Sequence, residues 1–175
     1  LILIYAAFPI AQVVRSAGDS LAASKSAMVD FVFKDVVVES IKLFGHIAAL
    51  TALFGAICSL VGWILGAPGM MAGADLHAMF EYLYGLPAGA MAAFMGMLGL
   101  EFVGGVIEGF LTWDVTGSEA SGYNLGGALA VGFEFVQVVI ILAKLYVVLA
   151  FYHFFWGVLN TFFNWIKSPY LPFKS

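Results

Sequence analysis

The stretch IKLFGHIAALTALFGAICSLVGWIL, residues Ile41–Leu65, decides the fold class. After Lys42 it carries no Asp, Glu, Lys or Arg, and at roughly 25 residues it is long enough to cross a bilayer with some tilt. Lys42 can snorkel at one end and Trp63 can sit in the aromatic belt at the other. Gly66-Ala67-Pro68-Gly69 then breaks the helix.

The rest of the chain has the same character. Hydrophobic residues make up 63% of the 175 and charged residues 10%, with a mean hydropathy of +1.02. A soluble domain is about 45–50% apolar and about 25% charged, so no charged shell for water is available here. Lipid is the solvent that tolerates such a surface, and each helix can meet it directly. The expected fold is all-α: a polytopic transmembrane helical protein of about three spans, with four as the alternative.

Outward from Ile41, the pattern divides the chain into three regions. Residues 1–40 read as an apolar stub, a small polar loop (Arg15 to Ser26) and an amphipathic interfacial helix. In that helix Ser26, Asp30 and Lys34 recur at four-residue spacing, so Asp30 and Lys34 are placed for an ion pair. Residues 41–166 read as the transmembrane domain, with spans near 41–65, 83–113 and 126–150. Asp75, His77 and Glu81 mark a polar connection, and Asp114 to Asn124 a loop. The third apolar stretch, Gly126 to Ile166, would make a helix roughly 60 Å long, twice the hydrocarbon thickness. Phe151, Tyr152, Phe154, Phe155, Trp156, Phe162, Phe163 and Trp165 favour one span continued as an aromatic interfacial helix to 166, with Gly157 and Asn160 as bend points. The alternative is two spans meeting at a tight turn. Pro169 and Pro172 make 167–175 an extended tail.

Orientation is contradictory on a three-span count. Arg15, Lys25, Lys34 and Lys42 make the N-terminal side basic, and Lys167 and Lys174 ask for the same side. An even number of crossings from residue 41 onward satisfies both ends.

Charge within a span is costly, so intramembrane polar residues are the candidate sites. Glu101 and Glu108 lie almost two turns apart on one helix face, with Gly104 and Gly105 between them and a GxxxG pair at Gly105 and Gly109. Glu134, Gln137 and Lys144 fall within roughly an 80° arc of the third stretch. Lys144 can reach a carboxylate of the second stretch or snorkel. Three carboxylates against one lysine ask for partner charge, headgroups or protonation. As inter-subunit contacts they fix helix register; as a path they carry protons or ions. His46 and His153, on separate apolar stretches, are the candidates for axial ligands of haem or another tetrapyrrole. Met70, Met71, Met79, Met91, Met95 and Met97 fill gaps at helix contacts.

No metal site is expected from spacing, no cofactor is specified, and no nucleophile elbow, P-loop, HExxH or CxxC occurs. Cys58 alone cannot form an intramolecular disulfide. The net charge of −4, with no basic run, does not suit nucleic acid. The expectation is a non-catalytic, multi-pass subunit of a larger energy-converting or secretory membrane complex. Its partners are the lipid bilayer and other membrane subunits, in a bacterial inner membrane or an organellar membrane. A proton or ion channel or carrier, and a haem- or pigment-binding subunit, are the alternatives.

Overall fold

A computed structural model of the chain describes residues 2–67, 84–113 and 123–167. Among these residues every regular element is helical, and two helices are long and apolar enough to cross a membrane. The order is α1 (Ile2–Ala23), α2 (Met28–Leu65), α3 (Leu86–Met97), α4 (Glu101–Thr112) and α5 (Leu125–Lys167).

α2 and α5 form the frame. Their contacts run in opposite directions: Trp63 stacks on Tyr123 with ring centroids 4.8 Å apart, just before α5 begins. Ala48 and Ala49 pack on Val138 and Ile141, Val38 packs with Leu145 and Leu149, and Phe33 stacks on Trp156. The two helices are therefore antiparallel over nearly their whole length. Small residues on α2 allow the close approach. A Cβ at Gly45 would lie 2.4 Å from Leu145 Cδ1, and Leu145 is completely buried. At 1.5 Å per residue, α2 is about 57 Å long and α5 about 64 Å.

α5 is helical through Gly157 and Asn160. The tight turn that would make two spans of 126–166 is absent, and both expected bend points lie within one continuous helix. Asn124 caps the helix, its Oδ1 accepting from the Gly127 N–H at 2.6 Å. α2 begins with a turn at Met28–Asp30 and a π-helical stretch, Phe31–Val36, before regular α-helix from Val37 to Leu65. Gly66 ends it in the left-handed conformation (φ 62°), with the Gly66 N–H on the Trp63 carbonyl and the Ala67 N–H on that of Gly62. This pairing is a Schellman cap.

Two expectations are corrected. Arg15 to Ala23, read as the start of a loop, is the second half of α1, which also continues through Pro9. Arg15 and Asp19 face each other at 3.8 Å, one turn apart on this helix. Only Ser24 to Ala27 connect α1 to α2. The larger correction concerns the stretch expected as a span near 83–113: its described residues, 84–113, are not one continuous helix but a helical hairpin. α3 stops at Met97, the chain turns at Leu98-Gly99-Leu100, and α4 returns along α3. Each helix of 12 residues is about 18 Å long, short of the ~30 Å hydrocarbon core.

The turn is chemically specific. Gly99 has φ +74°; its N–H bonds the Gly96 carbonyl, and the Leu100 N–H bonds that of Met95 at 2.8 Å. This is a second Schellman cap. Gly104 then lets the returning helix close in, because a Cβ there would lie 3.1 Å from the Ala92 carbonyl oxygen and from Met95 Cβ. Pro87 occupies the first turn of α3, where its missing N–H has no helical partner to lose.

The hairpin packs mainly on α5. Tyr84, Ala88, Met91 and Leu111 form a buried cluster with Val148, against which Phe151 and Ile41 also pack. Phe94 meets Phe151 and Phe155 edge-on at 5.9 and 5.1 Å. Its open end therefore lies beside Ile141 and Lys144, and it rises along α5 toward Phe155. α1 packs on α2. Lys167, expected to open the tail, ends α5; the rest of the tail, the polar connection expected at Asp75, His77 and Glu81, and most of the loop from Asp114 lie outside the described residues.

Candidate functional site

The outer face of α4 is the clearest polar surface on an apolar element. At 100° per residue, Glu101, Gly105, Glu108 and Thr112 fall within one 60° sector, and Gly104, Ile107 and Leu111 within another centred about 100° away. Burial follows this division: Gly104 and Leu111 are buried, whereas Glu101, Gly105, Glu108, Gly109 and Thr112 are exposed. Gly105 and Gly109 have no atom within 4 Å of a Cβ placed on them. The GxxxG pair is thus not the seam inside the chain. Gly104 is, and the pair looks outward with both carboxylates. Glu101 also opens α4, where the unpaired N–H groups of the first turn favour a negative charge.

Lys144 does not pair with Glu101 or Glu108. Its ammonium donates to the Trp113 carbonyl just past the end of α4 and lies 5.9 Å from the centre of the Tyr84 ring. It thereby satisfies a carbonyl at the hairpin's open end, where a cation suits the helix dipole. Tyr84 adds a hydrogen bond from its hydroxyl to the Ile141 carbonyl at 3.3 Å. Lys144 and Tyr84 together fasten the hairpin to α5. Sequence reasoning placed Lys144 on a polar face but missed this acceptor, because a backbone carbonyl leaves no mark in residue identity.

Glu134 and Gln137 are half-buried on α5. Glu134 precedes Lys144 by about 15 Å of helix, away from the hairpin, so Glu101, Glu108 and Glu134 do not line one path. His46 and His153 each bond through Nδ1 to the carbonyl four residues back, Lys42 at 2.6 Å and Leu149 at 2.7 Å. The antiparallel register places Gly45 against Leu145 and Phe33 against Trp156. The two imidazoles are therefore offset by about 14 Å along the axis and do not face one another. Met91 and Met95 are buried in the hairpin, whereas Met97 is exposed at its tip. Among the described residues no three His, Cys, Asp or Glu side chains gather as a metal site.

A second polar group went unread in the sequence. Asp35, on the π-helical turn of α2, accepts hydrogen bonds from the hydroxyls of Ser24 and Ser26, the latter at 2.6 Å. The Tyr152 hydroxyl bonds the Phe33 carbonyl on the same turn. Asp30 and Lys34 do not pair; the ion pair of this segment is Glu39–Lys42 at 2.9 Å. The four-residue spacing assumed a regular α-helix, and the wider π turn moves these side chains out of that register.

No family model matches the chain, and no curated protein or solved structure matches it.

Proposed function

We propose that the chain is a non-catalytic, multi-pass subunit of a larger membrane complex, energy-converting or secretory in kind. The observation that carries this reading is the outer face of α4, where two carboxylates and the open Gly105–Gly109 pair stand together on an otherwise apolar hairpin. Phe102, Met97 and Val106 around it are 84%, 85% and 57% exposed. Left bare, this surface meets neither solvent well: lipid penalises the carboxylates and water penalises the apolar groups. A partner helix with small residues and a cationic group satisfies both.

In this reading α2 and α5 supply two crossings. Residues 43–65 carry no Asp, Glu, Lys or Arg, and the register sets them against roughly residues 123–145 of α5. Because the two helices are antiparallel, the start of α2 and the end of α5 share a side. Arg15, Lys25, Lys34, Lys42 and Lys167 then fall together, as the positive-inside rule asks of a cytoplasmic, stromal or matrix face. The hairpin sits at the boundary on that side, and Lys144 marks the headgroup level.

The test is extraction of the tagged chain in mild detergent from its own membrane. The reading expects a complex of fixed stoichiometry that Glu101→Arg with Glu108→Arg dissociates and Gln at both positions weakens less. A stable, unpartnered monomer, or a complex indifferent to charge reversal, would contradict it.

A further inference from the structure

A cleft of about 470 Å³ opens where the end of α1, the Ser24–Ala27 connection, the start of α2 and His153 of α5 converge. We propose that this cleft binds a phosphate group, presented by an anionic lipid headgroup or free in solution.

Lys25, Lys34 and Lys42 all line the cleft, against the carboxylates of Asp35 and Glu39. The two acids are already engaged. Asp35 accepts from Ser24 and Ser26, and Glu39 pairs with Lys42 at 2.9 Å. Lys25 and Lys34 make no ion pair among the described residues. Two ammonium groups from different segments therefore border one cavity; the neighbouring Asp35 carboxylate attracts that of Lys34, and the three lysines leave the lining one positive charge in surplus over its two acids. A tetrahedral oxyanion meets such point charges from several directions, as in other lysine-lined phosphate sites.

The connection is also held in shape. Ser24 and Ser26 both bind Asp35, which pins the segment carrying Lys25 to the turn carrying Lys34. His153 has Nδ1 committed to the Leu149 carbonyl, so Nε2 is its remaining polar atom.

The surroundings name the headgroup as a source. The cleft lies beside Lys42, where the charge-free part of α2 ends. Phe33, stacked on Trp156 with ring centroids 6.1 Å apart, and Tyr152 stand at the cleft's outer end, Phe33 about 13 Å from Lys42 along α2. Aromatic rings beside lysines are the side chains of a membrane–water boundary, where basic pockets take anionic headgroups. This choice of source rests on the membrane reading above; binding of the phosphate group does not.

The experiment is calorimetric titration of the full chain in uncharged detergent micelles, with inorganic phosphate in one arm and short-chain phosphatidic acid in the other. Saturable binding is expected in at least one arm. At about one lysine's worth of surface attraction each, Lys25→Ala with Lys34→Ala should weaken it roughly thirtyfold. Arginine at both positions should restore it, and Arg15→Gln, which removes an exposed cation paired with Asp19, should leave it unchanged. Binding in the lipid arm alone assigns the phosphate to a headgroup; equal binding in both assigns it to either source. No saturable binding in either arm, or binding unaffected by the double alanine variant with its helical circular dichroism intact, overturns the proposal. Carbonate extraction of the membranes tests the membrane reading separately. A chain that washes off yet still binds phosphate sinks that reading alone.

Discussion

Residues 41–65 and 83–113 are close equals in apolar character, yet one forms part of a rod and the other folds back on itself. The same device ends a helix in both. Gly66 and Gly99 each take a left-handed conformation, and each closes a Schellman cap. The difference lies in where the cap falls. Gly66 closes a helix of 38 residues at the end of its apolar run, whereas Gly99 closes one of 12 residues in the middle of its run. After Gly99 come Leu100 and Glu101, which restart a helix immediately and turn it back along the first. Hydropathy records how much a segment avoids water; it does not record where its backbone reverses.

Substitutions can break this comparison at either half. The largest effect is expected in the rod. Leu145→Ala would empty a completely buried position facing Gly45 and should cost about 2–5 kcal/mol in reversible unfolding from detergent. Gly45→Ala drives a methyl group into Leu145 and should cost about 1–3 kcal/mol. Combined with Leu145→Ala, its cost should largely vanish, because the atoms it strikes are gone. Additive losses in that double variant would show that the helices do not meet at this pair.

Effects in the hairpin should be smaller. Gly99→Ala forces an ordinary residue to φ +74° and should cost about 1–2 kcal/mol. Gly96→Ala, in open space within α3, should instead stabilise by about 0.5–1 kcal/mol. If 83–113 were a continuous helix, both changes would stabilise it. The smallest contrast lies within α4. Gly104→Ala pushes on the Ala92 backbone and should cost about 1 kcal/mol, whereas Gly105→Ala, facing outward, should be neutral or mildly stabilising in the isolated chain. Reversed signs would mean that the returning helix presents its other face.

Much of the frame was legible in the sequence. The apolar run after Lys42, its end at Gly66 and the uninterrupted stretch beyond Gly126 all appear as helix. The hairpin was hidden because Leu98-Gly99-Leu100 has no proline or polar residue beside its glycine. Glycine within α2, as at Gly55, is compatible with unbroken helix. Only the φ of Gly99 separates the two cases, and φ is not written in composition. The second half of α1 was missed for the opposite reason. Its serines, Gly18 and Asp19 resemble a loop, while packing on α2 supports the helix.

The candidate site divides in the same way. The shared face of Glu101 and Glu108 came from helical spacing alone, and it survives because α4 spans both residues. The partners of Lys144 and Asp35 are tertiary. One is a backbone carbonyl and the other a pair of serines from a separate segment, and spacing along the chain predicts neither.

The reversal at Gly99 is the central claim, and a single distance tests it. Spin labels on cysteines at Gly89 and Thr112, in a Cys58→Ser background, report it by double electron–electron resonance. Side-by-side helices 8–10 Å apart should hold the labels within about 20 Å of each other. A continuous span would separate them by about 35 Å, and a distribution centred there would contradict the fold described for this half of the molecule.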